Sequence, residues 1–467
     1  MKYKALKLLT VLVLCLTLLA GCKKKTEKII DDPKYTVTFN VDGDTTLIDS
    51  QTVNKFDKIT KPENPTKTNY DFEGWYYNDE LWNFSGCVVT EDMTLEARFV
   101  EKVYHIYVQN PNLVLLTSNL MQCEGGYICK KEDHCIIKPY SLPKKGHALR
   151  WTLWDEKTGI ENAFSFYINE FPFTNVDSDI HITIEEVEIY EVEDNSIYFG
   201  YYPQTLEDND SIIERLNSLS TPLPDASNSN GWSDYYGYDE HFMWYKDIDL
   251  DNDGRYDYRG VYFIKYRGYT TLSTTDEGET NQDDNGYELE TVYWFKYEKI
   301  KWDILEEDDD RMLVVSSLNI DTQEFSRMNS SYGYDNYEMS FVREWLNEVF
   351  YNTAFSSLEK DFILMEEVDN SAATTDYTSY NSSACDNTWD WIFLLSYQEA
   401  LGKVHGLEAT DYAKSQGCFE DCSRLRSPSG EEGRAPLILY NNGNNATNTY
   451  SPYWTCIGLK PALRLPS

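Results

Sequence analysis

Histidine is scarce in this chain, six in 467 residues, and only His241 and His405 fall in its C-terminal half. No Gly-x-Ser-x-Gly stretch occurs, so nothing groups a serine nucleophile with its base. Basic residues are also short: 41 Lys and Arg face 79 Asp and Glu, a formal net charge of -38. Such a surface repels phosphate backbones, which excludes nucleic acid as a partner. Paired Cys-x-x-Cys spacing is missing, which leaves Cys129, Cys135 and His134 a weak zinc set. The apolar run Leu8–Leu19 is too short to span a bilayer comfortably.

What is present begins with an address. Lys2, Lys4 and Lys7 precede that apolar run, and small residues close it, the order of a signal peptide over residues 1–21. Its removal takes away three lysines and no acid, moving the formal charge from -38 to -41. The closing Leu19-Ala20-Gly21-Cys22 resembles the lipobox of bacterial lipoproteins. The resemblance implies that Cys22 is lipidated and heads the mature protein, with the membrane as partner and an extracytoplasmic, lipid-anchored location. Lys23, Lys24 and Lys25 would lie against anionic headgroups, and residues 22–34 read as a tether. Beyond Cys15 and Cys22, eight cysteines remain: Cys87, Cys123, Cys129, Cys135, Cys385, Cys418, Cys422 and Cys456. In an oxidising compartment disulfides can form within Cys123–Cys135 and within Cys385–Cys456.

Residues 35–101 alternate as strands at Tyr35–Phe39 and again before Gly74-Trp75-Tyr76, with Asp42-Gly43 as a turn. Val37-Thr-Phe39, Pro65-Thr-Lys67, Tyr70-Asp-Phe72, Gly74-Trp75-Tyr76 and Thr90–Ala97 resemble the internalin B-type, or Listeria-Bacteroides, repeat of bacterial surface proteins. The family pattern has paired glycines where Asp42-Gly43 stands and tryptophan where Phe99 stands. The resemblance implies a β-grasp-like spacer. Residues 102–194 read as a degenerate second β module, since Pro143–Trp151 echoes Pro65–Trp75 and Val176–Thr183 echoes Val89–Leu95. Tryptophans such as Trp75, Trp151 and Trp154 serve as packing or as sugar platforms.

Residues 195–467 form the presented domain. Tyr293–Leu305 crowds aromatic and branched residues at period two, a strand with one buried face. Met312–Leu318 follows across the acidic turn Glu306–Arg311, which predicts a hairpin. A strand from Ile197 is expected to end at Pro203. Capping boxes are expected at Ser211–Glu214, Ser356–Glu359 and Ser396–Glu399, and a helix start at Ser340. Strands and short helices interleave without βαβ rhythm, which predicts an α+β fold with mainly antiparallel sheet. Tyr198–Thr205, Tyr258–Phe263, Tyr293–Tyr297, Val342–Asn347, Ile392–Ser396, Leu425–Pro428 and Gly458–Leu463 look like an uncharacterised bacterial surface domain of unknown function. That family's tryptophan before Leu-Arg-Ser-Pro is replaced by Cys422-Ser-Arg424. The closing Arg-Ser-Pro and Lys-Pro-Ala-Leu motifs are similar to those of C-type-lectin-like and formylglycine-generating-enzyme-like domains, which implies a ligand-binding scaffold but no particular activity.

Chemistry concentrates in Asp249-Leu-Asp251-Asn-Asp253-Gly254-Arg255-Tyr-Asp257. Acids at positions one, three, five and nine, Gly at six and the Arg255 carbonyl at seven follow a calcium loop, yet position twelve is Gly260 and no bidentate Glu closes the set. The other reading is a hairpin turning at Asn252-Asp253-Gly254 with solvated acids. Cys418 and Cys422 read as a disulfide or a loop thiol pair. Arg424, Arg426, Trp391 and Trp454 are candidates for lining a site near the final strand, because arginine forks and tryptophan faces suit polar ligands; core packing and salt bridging is the other reading. The expectation is a surface lipoprotein whose last domain binds an extracellular glycan or protein, with calcium as the one candidate cofactor. A surface enzyme and a structural envelope protein are the alternatives.

Overall fold

The computed structural model describes residues 32–45, 47–109, 114–116, 120–131, 133, 135–139, 143–166, 171–173, 176–225, 227–235, 243–267, 281–326, 336–374, 385–428, 436–440, 442–447 and 454–467. The leader, Cys22 and Lys23–Lys25 lie outside the described residues, as do His134 and His241. Two units are distinguished: Met1–Ile106 with Leu120–His134 and Thr174–Asp179, and Tyr107–Asn119 with Cys135–Phe173 and Ile180–Ser467. Both are mostly β, and the expected second module, 102–194, contributes strands to each.

In the first unit, β1 (Lys34–Asn40), β2 (Gln51–Asn54), β3 (Tyr70–Tyr77), β4 (Glu80–Leu81) and β5 (Met93–Glu101) form a sheet in the order β2-β1-β5-β3-β4. Only β1 and β5 run parallel. Residues 55–69 link β2 to β3 without a helix. Alternation turns Val37 and Leu95 inward around Trp75, whose indole meets the edges of Phe39 at 5.0 Å and Phe72 at 5.7 Å. Phe99 pairs with Phe72 across the sheet and keeps an aromatic contact at 5.7 Å. Gly43 is needed for space rather than for left-handed geometry, since a Cβ there would sit 2.6 Å from the Thr66 carbonyl oxygen.

The second unit contains three antiparallel strands, His147–Asp155 between Ile160–Phe166 and Ile180–Glu188. Trp151 is buried in it, whereas Trp154 is 40% exposed beside His181. An eight-stranded sheet follows, running Glu191–Glu193, Ser196–Leu206, Val292–Glu307, Tyr258–Phe263, Met243–Ile248 and Ser233–Asp234, with Met312–Ser316 and Ala462–Leu465 continuing from Val292–Glu307. The expected hairpin is there: Glu307 pairs with Met312 and Trp302 with Ser316. From Ile300 to Ile304 every second residue is buried, but Trp294 and Phe295 are both buried, so that end of the strand is covered on two faces. Ser196–Leu206 does not stop at Pro203, which pairs with Tyr297 beside an irregularity in the ladder. A bulge removes the demand for the N–H that proline lacks.

A second, five-stranded sheet holds Asp321–Thr322, Ile457–Leu459, Phe419–Arg424, Ile438–Tyr440 and Asn445–Thr447. The capping boxes at Ser356–Glu359 and Ser396–Glu399 form, and Ser340 accepts from the Arg343 N–H. The helix Asp210–Leu219 is instead capped by Asn209, which accepts from Ser211 and Ile212, so the Ser211 expectation is corrected by two residues. Cys87, Cys123, Cys129, Cys385 and Cys456 carry free thiols.

Candidate functional site

Strands Met243–Ile248 and Tyr258–Phe263 pair from Met243↔Phe263 to Ile248↔Tyr258, so residues 249–257 are a hairpin connection. Positive φ at Asn252 (60°) and Gly254 (92°) turns the chain back. Asp249 braces it by accepting from Asn252 N at 2.7 Å and Gly254 N at 3.0 Å. Asp257 accepts from Leu250 N at 2.6 Å. The hairpin is there, and within it carboxylate oxygens of Asp249, Asp251 and Asp257 lie within 4.8 Å of one another. Asp253 is spent on Arg255 N at 2.8 Å. Gly260 lies in the strand beneath Trp294, where a Cβ would meet the ring at 2.6 Å, so no side chain from there could complete the set. Three hard oxygen donors this close have the chemistry of a calcium ligand set.

Below the turn, Asp247 takes Arg259 Nε at 2.7 Å and Nη2 at 2.8 Å. Arg259 is buried, with its guanidinium 4.5 Å from the Tyr245 ring centroid. The Arg255 side chain leaves the turn and lies over Tyr201, 4.7 Å from its ring centroid. Arg255 and Tyr201 help line a pocket of about 230 Å³ that also takes in Tyr198, Lys299 and Glu359. Gly200, which also lines it, has φ +70°, and a Cβ there would strike the buried Phe355 at 2.5 Å. Lys299 is held by Glu191 at 3.3 Å, and Glu359 accepts from Ser356 N at 2.8 Å. The pocket offers aromatic faces, one guanidinium and one ammonium, a lining suited to a polar ligand.

The four residues expected near the final strand are not gathered into one surface. Arg426 is buried and paired with Glu399, and it also donates to Leu394 O at 2.8 Å and Asp369 O at 3.1 Å. Burial alone would raise the Glu399 carboxyl, but the Arg426 guanidinium outweighs it and holds Glu399 below the usual range. Trp391 stacks on Tyr351 at 5.1 Å. Arg424 and Trp454 do meet, the Arg424 guanidinium donating to the Trp454 carbonyl, and Trp454 packs against the Cys422–Cys456 cluster.

Two buried polar groups were not singled out from the sequence. Asp321 accepts from Tyr202 at 2.6 Å and Tyr235 at 2.8 Å, and burial raises its carboxyl. Lys460 donates to Gly406 O at 2.8 Å and to Ser317 O, and burial pulls its ammonium down to about 7. Tyr202 and Lys460 lie inside recognisable motifs, but only the fold shows what they touch. In the first unit, a groove of about 600 Å³ lies over the outer face of β1, β5 and β3, with Thr36, Thr38, Tyr76, Asp79 and Glu96 in its lining.

Residues 35–98 match the Listeria-Bacteroides repeat domain, and residues 309–467 match a domain of unknown function, DUF6273. The sheet that carries the second match begins earlier, at Glu191. Two proteins of Evansella cellulosilytica are similar over part of the chain. One, named "Putative membrane protein", is 27% identical over 127 residues, 26% of this chain and 17% of that protein. The other, "Putative Gly-rich membrane protein", is 33% identical over 140 residues, 28% of this chain and 14% of that protein. The chain therefore matches less than a fifth of the length of either relative.

Proposed function

We propose that this chain is a lipid-anchored protein of a bacterial envelope. Cys22 holds it to the membrane, β-grasp-like modules act as spacers, and a C-type-lectin-like domain binds an extracellular glycan or protein. The observation that carries the binding half of this reading is the double engagement of Arg255. It belongs to the hairpin whose three carboxylates converge, and its guanidinium lies over Tyr201 in the neighbouring pocket. Calcium among Asp249, Asp251 and Asp257 would relieve their repulsion and stiffen the turn, fixing Arg255 where a ligand meets it.

The anchor rests on Leu19-Ala-Gly-Cys22 and is supported by the words "membrane protein" in both relatives' names. Among the described residues no helix is long and apolar enough to cross a membrane. Binding is favoured over catalysis because two of the pocket's charged groups are committed to structural partners, Lys299 to Glu191 and Glu359 to its own helix cap. An enzyme needs a convergent nucleophile and base.

The test applies the full chain to a glycan array and to cell-wall preparations, in calcium and in chelator. Retention that calcium strengthens, and that falls in Asp249→Asn and Tyr201→Ala, is the expected result. Equal retention with and without calcium removes the hairpin from the reading, and hydrolytic turnover without retention replaces it by the enzyme. Palmitate incorporation lost in Cys22→Ala tests the anchor separately.

A further inference from the structure

We propose that Arg424 and Arg267, held on either side of Gln323, form a binding site for an oxyanion, the carboxylate or phosphate group of a ligand. Arg267 donates to the Gln323 side-chain oxygen at 2.8 Å and to Thr322 O at 2.8 Å. Arg424 donates through Nε to the Gln323 backbone oxygen at 3.2 Å and through Nη2 to the Trp454 carbonyl. One residue therefore bridges two guanidiniums, which are only 4% and 1% exposed.

Arg424 is the unbalanced member. Among the described residues its hydrogen bonds go to backbone carbonyls, and Nη1, closed off from solvent, has no hydrogen-bond partner there. Asp321, two residues from Gln323, does not supply the missing anion, because its oxygens are taken by Tyr202, Tyr235 and the Thr322 N–H. Burial brings the Arg424 guanidinium down to about 10; Cys456, Cys422 and Glu324 favour the cation and Arg267 opposes it. A charged donor buried without its acceptor is costly, and native structures keep such a group where something else supplies the acceptor. A planar guanidinium with one free nitrogen, beside a second guanidinium, suits an oxyanion better than any neutral group. In a chain of net charge -38, two adjacent buried arginines make a local reversal that selects an anion against the surrounding field.

This site shares no residue with the 249–257 hairpin and does not depend on calcium, so either can fail alone. The full chain is titrated with inorganic phosphate and with acetate, against chloride at matched ionic strength, by calorimetry and by hydrogen exchange. Saturable one-site binding is expected, with protection in peptides covering 320–326 and 422–428. The stronger of phosphate and acetate identifies the group. Arg424→Gln should weaken it about tenfold or more, the loss of a charge-assisted hydrogen bond. The surface control Lys403→Gln should leave it unchanged. A response that chloride reproduces, or an affinity that survives Arg424→Gln, overturns the assignment. If Arg424→Gln does not fold, exchange in the unaltered protein decides, and protection confined to other peptides overturns it equally.

Discussion

Replacing Lys460 by methionine should flatten the pH dependence of stability over one defined window. The Lys460 ammonium is 4% exposed and donates to Gly406 O at 2.8 Å and to Ser317 O. Burial lowers it from 10.5 to about 7, against the opposing pull of Asp303 and Glu408. In the unfolded chain the same lysine stays protonated to its ordinary value, so between the two the unfolded state binds the extra proton. Stability must then rise with pH: the cost of burying the charge is fully present below about 7 and is relieved as pH climbs through the folded value. The slope approaches about 1.4 kcal/mol per pH unit, and integration from about pH 6.5 to about pH 8.5 gives about 2 kcal/mol. Thiols work in the opposite sense only at higher pH, because burial pushes Cys129 up to about 11 and Cys456 up to about 12, above their ordinary value of 9.0. Lys460→Met also strips a donor from two carbonyls, so its absolute stability is not the test. The measurement is urea unfolding of both proteins across that window, and parallel pH profiles would refute the reasoning.

Arg426→Met should cost about 1.5–3 kcal/mol, because it leaves the half-buried Glu399 carboxylate without its counter-ion; urea titration reads the loss, and a change below about 1 kcal/mol would show the pair to be dispensable. With Arg426 in place, Glu399 contributes stability above its ordinary value of 4.5 that is lost as pH falls through its lower folded value, so the Arg426→Met deficit should shrink in acid. Trp75→Ala should remove about 3–5 kcal/mol from the repeat module, since the indole is buried between Phe39 and Phe72, and thermal unfolding followed at that module's amides checks it. Cys456 and Cys129 should resist alkylation at neutral pH in the folded protein and react once it is unfolded, which mass spectrometry of the modified peptides reads directly.

What could be read from the sequence was whatever a residue settles with near neighbours. The boxes Ser356–Glu359 and Ser396–Glu399 form because each closes on itself within three residues. The hairpin across Glu306–Arg311 follows from two apolar runs and one acidic break. The same pattern at Ser211–Glu214 misleads, because Asn209 reaches the same helix start first. At 249–257 the spacing told that acids alternate, but not that Asp253 would turn to the Arg255 N–H while Asp257 joins Asp249 and Asp251. Arg424 and Arg426 stand two positions apart and read alike. Their fates diverge because Arg426 pairs with Glu399, 27 residues away, whereas among the described residues Arg424 hydrogen-bonds the carbonyls of Gln323 and Trp454.

That divergence belongs to a wider asymmetry in where charge is placed. A chain with nearly twice as many acids as bases nonetheless buries Arg259, Arg267, Arg424, Arg426 and Lys460. Every buried cation leaves the surface more negative and needs an internal partner. Arg259 has the Asp247 fork and Arg426 has Glu399, full counter-ions within hydrogen-bond reach. Lys460 has two carbonyls, and its lowered proton affinity shows that they compensate the charge only in part. A lysine can shed that cost by giving up its proton, whereas an arginine cannot at any pH the protein meets. Arg424 is therefore the cation for which an outside anion makes the largest difference. The same logic makes Arg426→Met a control for it: losing an arginine paired with a carboxylate should lower stability without touching phosphate or acetate affinity, whereas losing Arg424 should do the reverse in proportion. If the two substitutions moved stability and anion affinity together, burial of charge would be a general feature of this core and Arg424 no special position within it.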